Sequence, residues 1–78
     1  MKMEFYSAAN AVIAKFNKRM EHTQPERATA EMLTAVDLLE QLAGVARYAG
    51  DESAAYILVA AGDWRRTGKV PTPFGSKY

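Results

Sequence analysis

The chain has 78 residues and a formal net charge of +1, from ten basic and nine acidic side chains. That length allows one domain and lies near the lower limit at which a single apolar core is stable alone. An apolar fraction of 49% is enough for a packed core and excludes a disordered chain. The nearly balanced charge argues against a dedicated nucleic-acid binder, whose affinity comes largely from neutralising phosphates.

The sequence contains no cysteine, which excludes disulfides, thiolate metal sites and cysteine nucleophiles. A secretory signal needs an uninterrupted apolar segment near the N-terminus, and Ser7, Asn10 and Lys15 interrupt this one. The longest apolar run covers residues 54–62, whereas a membrane-spanning helix needs roughly 20 residues. We therefore expect a soluble, cytoplasmic protein that makes no membrane contact.

Apolar side chains recur at helical spacing in the first part of the chain and predict an amphipathic helix over about residues 3–22. The segment Thr23-Gln24-Pro25-Glu26 that follows has the pattern of a capping box. In that motif the Thr23 hydroxyl accepts a hydrogen bond from the amide of Glu26, and Pro25 occupies the first turn. The pattern predicts that a second helix begins at about residue 24.

The second helix is predicted over about residues 24–49, with Gly50 in the left-handed conformation after its last turn. It carries two adjacent apolar stripes, each of which steps by three and four residues and can pack against a different neighbour. The helix is therefore predicted to lie at the centre of the fold. One stripe consists of Met32, Val36, Leu39, Ala43 and Ala46, and the other of Ala35, Leu38, Leu42, Val45 and Ala49.

A third helix is predicted over about residues 51–67, with Asp51 as its N-cap and Gly68 at its end. The apolar run within it also fits a buried strand, but the flanking alanines and the total length favour a helix. Pro71 and Pro73 then exclude a helix and favour an extended backbone. We expect an all-α, three-helix antiparallel bundle in residues 1–68 and an extended C-terminal tail in residues 69–78.

No arrangement of residues typical of catalysis or cofactor binding is found. His22 is the only histidine, and it is better explained as a cation at a helix C-terminus than as a catalytic base. The closest carboxylate pairs have no histidine at helical spacing, and the five glycines form no phosphate-binding loop. We expect no enzymatic activity, no cofactor and no metal site.

The spacing of Ala46 and Gly50 matches the small residue and the turn glycine of a helix-turn-helix motif. The residue after that glycine is normally apolar, but here it is Asp51. A recognition helix also presents polar or basic side chains to base edges, whereas the third helix is mainly apolar. The sequence therefore argues against classical DNA recognition.

The apolar surface of the third helix is wider than two neighbouring helices can cover, because residues 54–62 are apolar on all sides. An exposed remainder of this kind usually marks an interface. The alternative is that the tail folds back and covers this face with Val70 and Phe74, with Tyr78 as a further anchor. The predicted partner-binding or dimer-binding face comprises Ala55, Tyr56, Val59, Ala60 and Gly62.

Basic side chains collect at the ends of the first and third helices. In an up-down-up bundle these two ends lie at the same pole, so the sequence predicts a basic pole for an acidic protein surface, a phosphate or a nucleic-acid backbone. The alternative is that the charges only complement the helix dipoles. The predicted pole comprises Lys15, Lys18, Arg19, Trp64, Arg65, Arg66 and Lys69.

Together these features favour a small non-enzymatic adaptor, regulator or inhibitor that docks on a larger protein, with a homodimer as an alternative state. Compact chains without catalytic or cofactor-binding residues are common among accessory proteins of phages and mobile elements, including inhibitors of host systems. A nucleic-acid or phosphate-backbone binder that uses the basic pole is the competing hypothesis, and a structural subunit of a larger assembly is the third.

Overall fold

The computed structural model describes residues 4–75, so the predicted start at Met3 and the predicted anchor Tyr78 lie outside the described residues. Helix α1 spans Glu4–Met20, α2 spans Ala28–Tyr48 and α3 spans Ser53–Thr67. Helix α2 packs against both α1 and α3, and α1 touches α3 much less. The chain is therefore an all-α three-helix bundle with α2 at its centre, as predicted, and the strand alternative for the third segment is wrong.

The connection between α1 and α2 differs from the prediction. Helix α1 ends at Met20, and a 3-10 turn over Pro25–Arg27 precedes α2. The Thr23 hydroxyl donates to the carbonyl of Arg19 at 2.7 Å, so it satisfies the end of α1 rather than capping α2. The predicted capping box is thus wrong, although Pro25 does lie in the first position of a helical turn.

The connection between α2 and α3 follows the sequence signals. Gly50 has the left-handed φ of 73° that lets the chain leave α2, and the amide of Asp51 donates to the carbonyl of Ala46 at 2.9 Å. The Asp51 carboxylate accepts from the amide of Ser53 at 2.8 Å, but α3 begins at Ser53 and its N-cap is Glu52, one residue after the predicted N-cap at Asp51. Gly68, with φ of 77°, ends α3.

The core is built from small side chains around a few large ones. Trp64, Leu39, Ile57 and Val36 are the largest buried apolar side chains. The indole of Trp64 meets the ring of Phe16 edge-on, with 4.9 Å between ring centroids. The remaining buried apolar residues are Ala9, Ile13, Ala35, Ala43, Ala46 and Ala61.

The two apolar stripes of α2 are buried to different extents. Four of the five residues of the first stripe are buried. The second stripe contributes Ala35 to the core, and Leu42 packs against it, whereas Leu38 and Val45 remain exposed. The first stripe therefore supplies most of the buried residues of α2.

Candidate functional site

The most extensive candidate site is the outer side of α3. Tyr56, Leu58 and Val59 are 61%, 47% and 63% exposed, although Ile57 beside them is fully buried. Helix α3 thus buries one side and presents large apolar side chains on others. We define the α3 face as Ala55, Tyr56, Leu58, Val59 and Gly62, all of which are exposed.

This set overlaps the apolar face predicted from the sequence, with two differences. Ala60 is half-buried and lines a groove between α3 and the tail. Leu58 was missed, because the periodicity of a helix that is apolar on all sides does not show which residues the neighbours cover.

Gly62 keeps part of the α3 face flat. Beyond its chain neighbours and the backbone of its own helix, a methyl group added at its α-carbon would meet no atom within 4 Å, so the packing of the described residues does not require a glycine there. A glycine inside a helix destabilises it by roughly 0.5–1 kcal/mol relative to alanine. A glycine on an exposed apolar face allows another backbone to approach closely.

The tail folds back beside α3, as the sequence alternative assumed, but it covers the predicted apolar face only in part. Phe74 packs against the core, but Val70 remains exposed. Tyr56 and Val59 line one wall of the groove whose other wall is formed by the tail, and both stay exposed to solvent. Folding back of the tail therefore leaves the α3 face open.

A second exposed apolar region lies on α2. Val45 and Tyr48 are 59% and 96% exposed, and the half-exposed Leu38 borders a groove that also includes Val12 and Phe16 of α1. The sequence assigned Leu38 and Val45 to a packing seam and therefore did not identify them as surface residues. Docking through α2 is the natural comparison for docking through α3.

The basic ends of α1 and α3 do lie at one pole, because Phe16 and Trp64 are in contact there. Trp64 itself is only 1% exposed, so its predicted role as a partner-binding residue is wrong. Its indole instead fills the core between the helices. A tryptophan followed by two arginines resembles a binding hot spot in sequence, but the burial of Trp64 in the core decides its role here.

Acidic partners neutralise the three arginines of this pole. Arg19 forms two hydrogen bonds of 2.9 Å with the carboxylate of Glu31. Arg65 forms bonds of 3.1 and 3.2 Å with Glu40, and Arg66 pairs with Asp63 at 2.6 Å. Among residues 4–75 the predicted basic side chains without an ion pair are Lys15, Lys18 and Lys69.

The interaction between Arg19 and Glu31 shifts the pKa of both side chains. The hydrogen bond from Arg19 is the main reason why the pKa of Glu31 lies below its ordinary value, and the same bond raises the pKa of Arg19. At the opposite pole, burial raises the pKa of Tyr6, and the nearby charges of Tyr56, Glu52 and Asp51 raise it further.

Within residues 4–75 no group of three or more histidine or carboxylate side chains is placed to hold a metal ion. No helix in the described part of the chain has the length and apolar content that crossing a bilayer requires. Comparison with known proteins finds no protein-family model, no curated protein and no solved structure that matches this chain.

Proposed function

We propose that this chain is a small non-enzymatic adaptor, regulator or inhibitor that docks on a larger protein through the α3 face. One observation carries the proposal: three large apolar side chains are exposed on a helix whose opposite side is fully buried. Contiguous exposed apolar surface of this kind usually marks an interaction site. Membership of the accessory proteins of a phage or mobile element stays a prediction from the sequence.

The α3 face is an anchor rather than a complete interface. Full burial of a large apolar side chain stabilises by roughly 1.5–3 kcal/mol, and Tyr56, Leu58 and Val59 are each already about half-covered. Their further burial thus contributes on the order of 2–5 kcal/mol, whereas association costs about 4–15 kcal/mol. A stable complex therefore needs additional contacts, which favours a partner larger than the α3 face itself.

The test compares two aspartate substitutions in similarly exposed valines. Val59→Asp places a charge on the α3 face, and Val45→Asp places one on α2. We expect the tagged protein to retain one stoichiometric partner in its native cell, and Val59→Asp to reduce the recovery of that partner at least tenfold. Val45→Asp is the matched control, and we expect it to leave recovery of the partner unchanged. Mass spectrometry quantifies the recovery, after circular dichroism has shown that both variants are folded.

Two results would contradict this proposal. Loss of the partner with Val45→Asp but not with Val59→Asp would move the docking surface to α2. Equal recovery with both variants, or a monodisperse monomer that retains no partner, would remove docking through α3. Light scattering separates the homodimer alternative, because a dimer that Val59→Asp abolishes would mean that α3 binds a second copy.

A nucleic-acid backbone binder is the second candidate, and it is supported by the three lysines without an ion pair. They are Lys15 and Lys18 on α1 and Lys69 just after α3. Such binding would weaken steeply with salt and fall when these lysines are changed to glutamate. Binding that survives moderate salt supports the apolar docking proposal instead.

A further inference from the structure

The tail folds back so that Phe74 contacts α1, and Asn10 holds Phe74 through its backbone. The Asn10 side-chain amide donates to the carbonyl oxygen of Phe74 at 2.9 Å, and its carbonyl accepts from the amide of Phe74 at 2.7 Å. A side-chain amide that bonds both backbone groups of one residue recognises the backbone without reading the side chain. Phe74 and Gly75 form a turn here, and Gly75 has a left-handed φ of 74°. Asn10 therefore acts as a docking point for a peptide backbone.

The side chain of Phe74 is recognised separately. Its ring stacks on Tyr6 with 5.4 Å between ring centroids and only 4° between the ring planes. Phe74 and Pro71 are both half-buried, while Thr72 and Pro73 between them are exposed. The tail is thus held at an aromatic anchor and at a proline three residues before it.

A groove remains open beside the docked tail. Its volume is about 520 Å³, within the range of sites that bind ligands. The wall from α3 includes Tyr56, Val59 and Trp64. The indole nitrogen of Trp64 is buried and has no hydrogen-bond acceptor among the described residues.

These features match the way in which proteins recognise proline-containing segments. Prolines hold a peptide in an extended conformation before it binds, which lowers the entropy lost on docking, and aromatic side chains line the grooves that receive it. Here Tyr6 and Tyr56 supply aromatic surface and Asn10 supplies the backbone contact.

We propose that the α1–α3 side of the bundle, formed by Tyr6, Asn10 and the groove wall of α3, is a binding site for a Pro-x-Pro-Phe segment whose phenylalanine lies in a turn. The chain's own residues 71–74 occupy it in cis. A partner protein carries a segment of the same chemistry, displaces the tail and takes its place.

The occupant in trans is a heterologous partner rather than a second copy. A tail tethered a few residues from its site has an effective concentration of about millimolar, and the tail of another copy offers only identical contacts at lower concentration. A partner segment gains further contacts with Tyr56 and Val59, which are exposed beside the groove. The inference therefore rests on the proposed function, because these contacts lie on the α3 face.

The test uses the full-length chain and a fluorescent peptide with the sequence of residues 69–78. Phe74→Ala removes the anchor of the cis tail and frees the site. We expect the peptide to bind Phe74→Ala saturably, and at least tenfold more tightly than it binds the wild type, as measured by fluorescence anisotropy. The same peptide with alanine in place of its phenylalanine does not bind.

Two asparagines of α1 provide a matched pair. In the Phe74→Ala background, Asn10→Ala lowers peptide affinity at least tenfold, whereas Asn17→Ala leaves it unchanged because Asn17 is exposed elsewhere on the helix. A folded Phe74→Ala chain that binds no peptide at millimolar concentration would overturn the proposal. So would equal peptide affinities of the two asparagine variants.

If Phe74→Ala does not fold, the wild type provides the measurement. Millimolar peptide then speeds hydrogen exchange at the Phe74 amide in NMR spectra, and no change in exchange overturns the site. A wild-type dimer that Phe74→Ala disrupts would show a second copy as the occupant and overturn the assignment to a heterologous partner. Peptide binding that persists when no partner docks on α3 would reject the proposed function, yet leave the peptide site standing.

Discussion

Arg19 and Glu31 join the end of α1 to the start of α2. Both bonds of this fork are 2.9 Å long, and the Glu31 side chain is only 14% exposed, whereas that of Arg19 is 57% exposed. Two parallel hydrogen bonds fix the relative orientation of the guanidinium and the carboxylate. A single contact from a lysine would attract the carboxylate without orienting it. The pair therefore fixes the antiparallel packing of α1 and α2 at the pole where the connecting turn is longest.

Glu31→Gln should destabilise the protein in a pH-dependent way. The pKa of Glu31 in the folded chain lies below its ordinary value of 4.5, mainly because Arg19 donates to it. A lowered pKa stabilises the fold above the unfolded value, and that contribution is lost as the pH falls through the folded value. We expect a lower melting temperature than the wild type at neutral pH and a difference that disappears in acid.

Thermal melts followed by circular dichroism across the acid range measure this effect. Glu26→Gln, in the adjacent 3-10 turn, is the control, because Glu26 forms no ion pair among residues 4–75. A difference between Glu31→Gln and the wild type that stays constant down to low pH would show that the ion pair is not its source.

Thr23 illustrates what a local sequence pattern can and cannot predict. The segment around it correctly predicts that α1 ends and that another helix follows, since within a helix a proline such as Pro25 is favoured in the first turn. The pattern does not predict which backbone group the Thr23 hydroxyl chooses. The last carbonyl groups of α1 are alternative partners for this hydroxyl, and it donates its hydrogen bond to the carbonyl of Arg19.

At the scale of helices, Gly44 and Gly62 are the two glycines inside α2 and α3. Both are exposed, and a methyl group at either position meets no atom within 4 Å. We expect Gly44→Ala and Gly62→Ala each to raise the free energy of unfolding by about 0.5–1 kcal/mol, because alanine restricts the unfolded chain and favours the helix. Chemical denaturation measures both values.

The two glycine substitutions also distinguish an effect on stability from an effect on docking. Gly62 lies on the α3 face, whereas Gly44 lies on α2, across a groove from Ala55 and Leu58. We therefore expect Gly62→Ala to weaken binding of the partner more than Gly44→Ala does. Equal binding by both variants would mean that no backbone approaches α3 closely. Failure of either variant to gain stability would mean that the glycine relieves a constraint of the fold.

Periodicity predicts the helices better than it predicts which residues they bury. Both stripes of α2 are present in the sequence, but they are buried unequally: the first is almost wholly buried, whereas the second contributes Ala35 to the core and leaves other members exposed. Leu38 and Val45 are apolar without being covered, and nothing in their spacing distinguishes them from Leu39. The depth of burial depends on where α1 and α3 lie, which is a property of the assembled bundle.

The tail marks a second limit of sequence reasoning. Its prolines predict an extended backbone, and Phe74 stands out as an anchor. Its docking partners, Tyr6 and Asn10, are more than sixty positions away along the chain. No repeat or spacing connects residues so distant, and a pairing of one asparagine with one backbone unit has no sequence signature.

Over the whole molecule, the number of charged side chains can be counted from the sequence, but which of them form ion pairs cannot be predicted from it. The basic ends of α1 and α3 do meet, as the order of the helices predicts. Glu31 and Glu40 of α2 then lie within reach of Arg19 and Arg65, which removes much of the expected positive field. The apolar α3 face is therefore the better-supported candidate site.

The molecule is thin, and every helix keeps an outer side. Its principal dimensions are 38, 23 and 17 Å, so the shortest dimension is less than about two helix diameters. The core consists largely of alanine, and a domain of this size has a marginal stability of only a few kcal/mol. Stability must therefore be concentrated in the few large buried side chains.

Trp64→Ala tests that concentration directly. Removing a buried large aromatic side chain costs about 3–5 kcal/mol, which is comparable to the whole stability of so small a bundle. We expect the variant to lose its cooperative thermal transition near physiological temperature. Tyr48→Ala also truncates an aromatic residue on a helix, but at a fully solvated position, and should change the free energy of unfolding by less than about 0.5 kcal/mol. If both variants melt like the wild type, the indole is not the centre of the core, and its burial between α1 and α3 would have to be reconsidered.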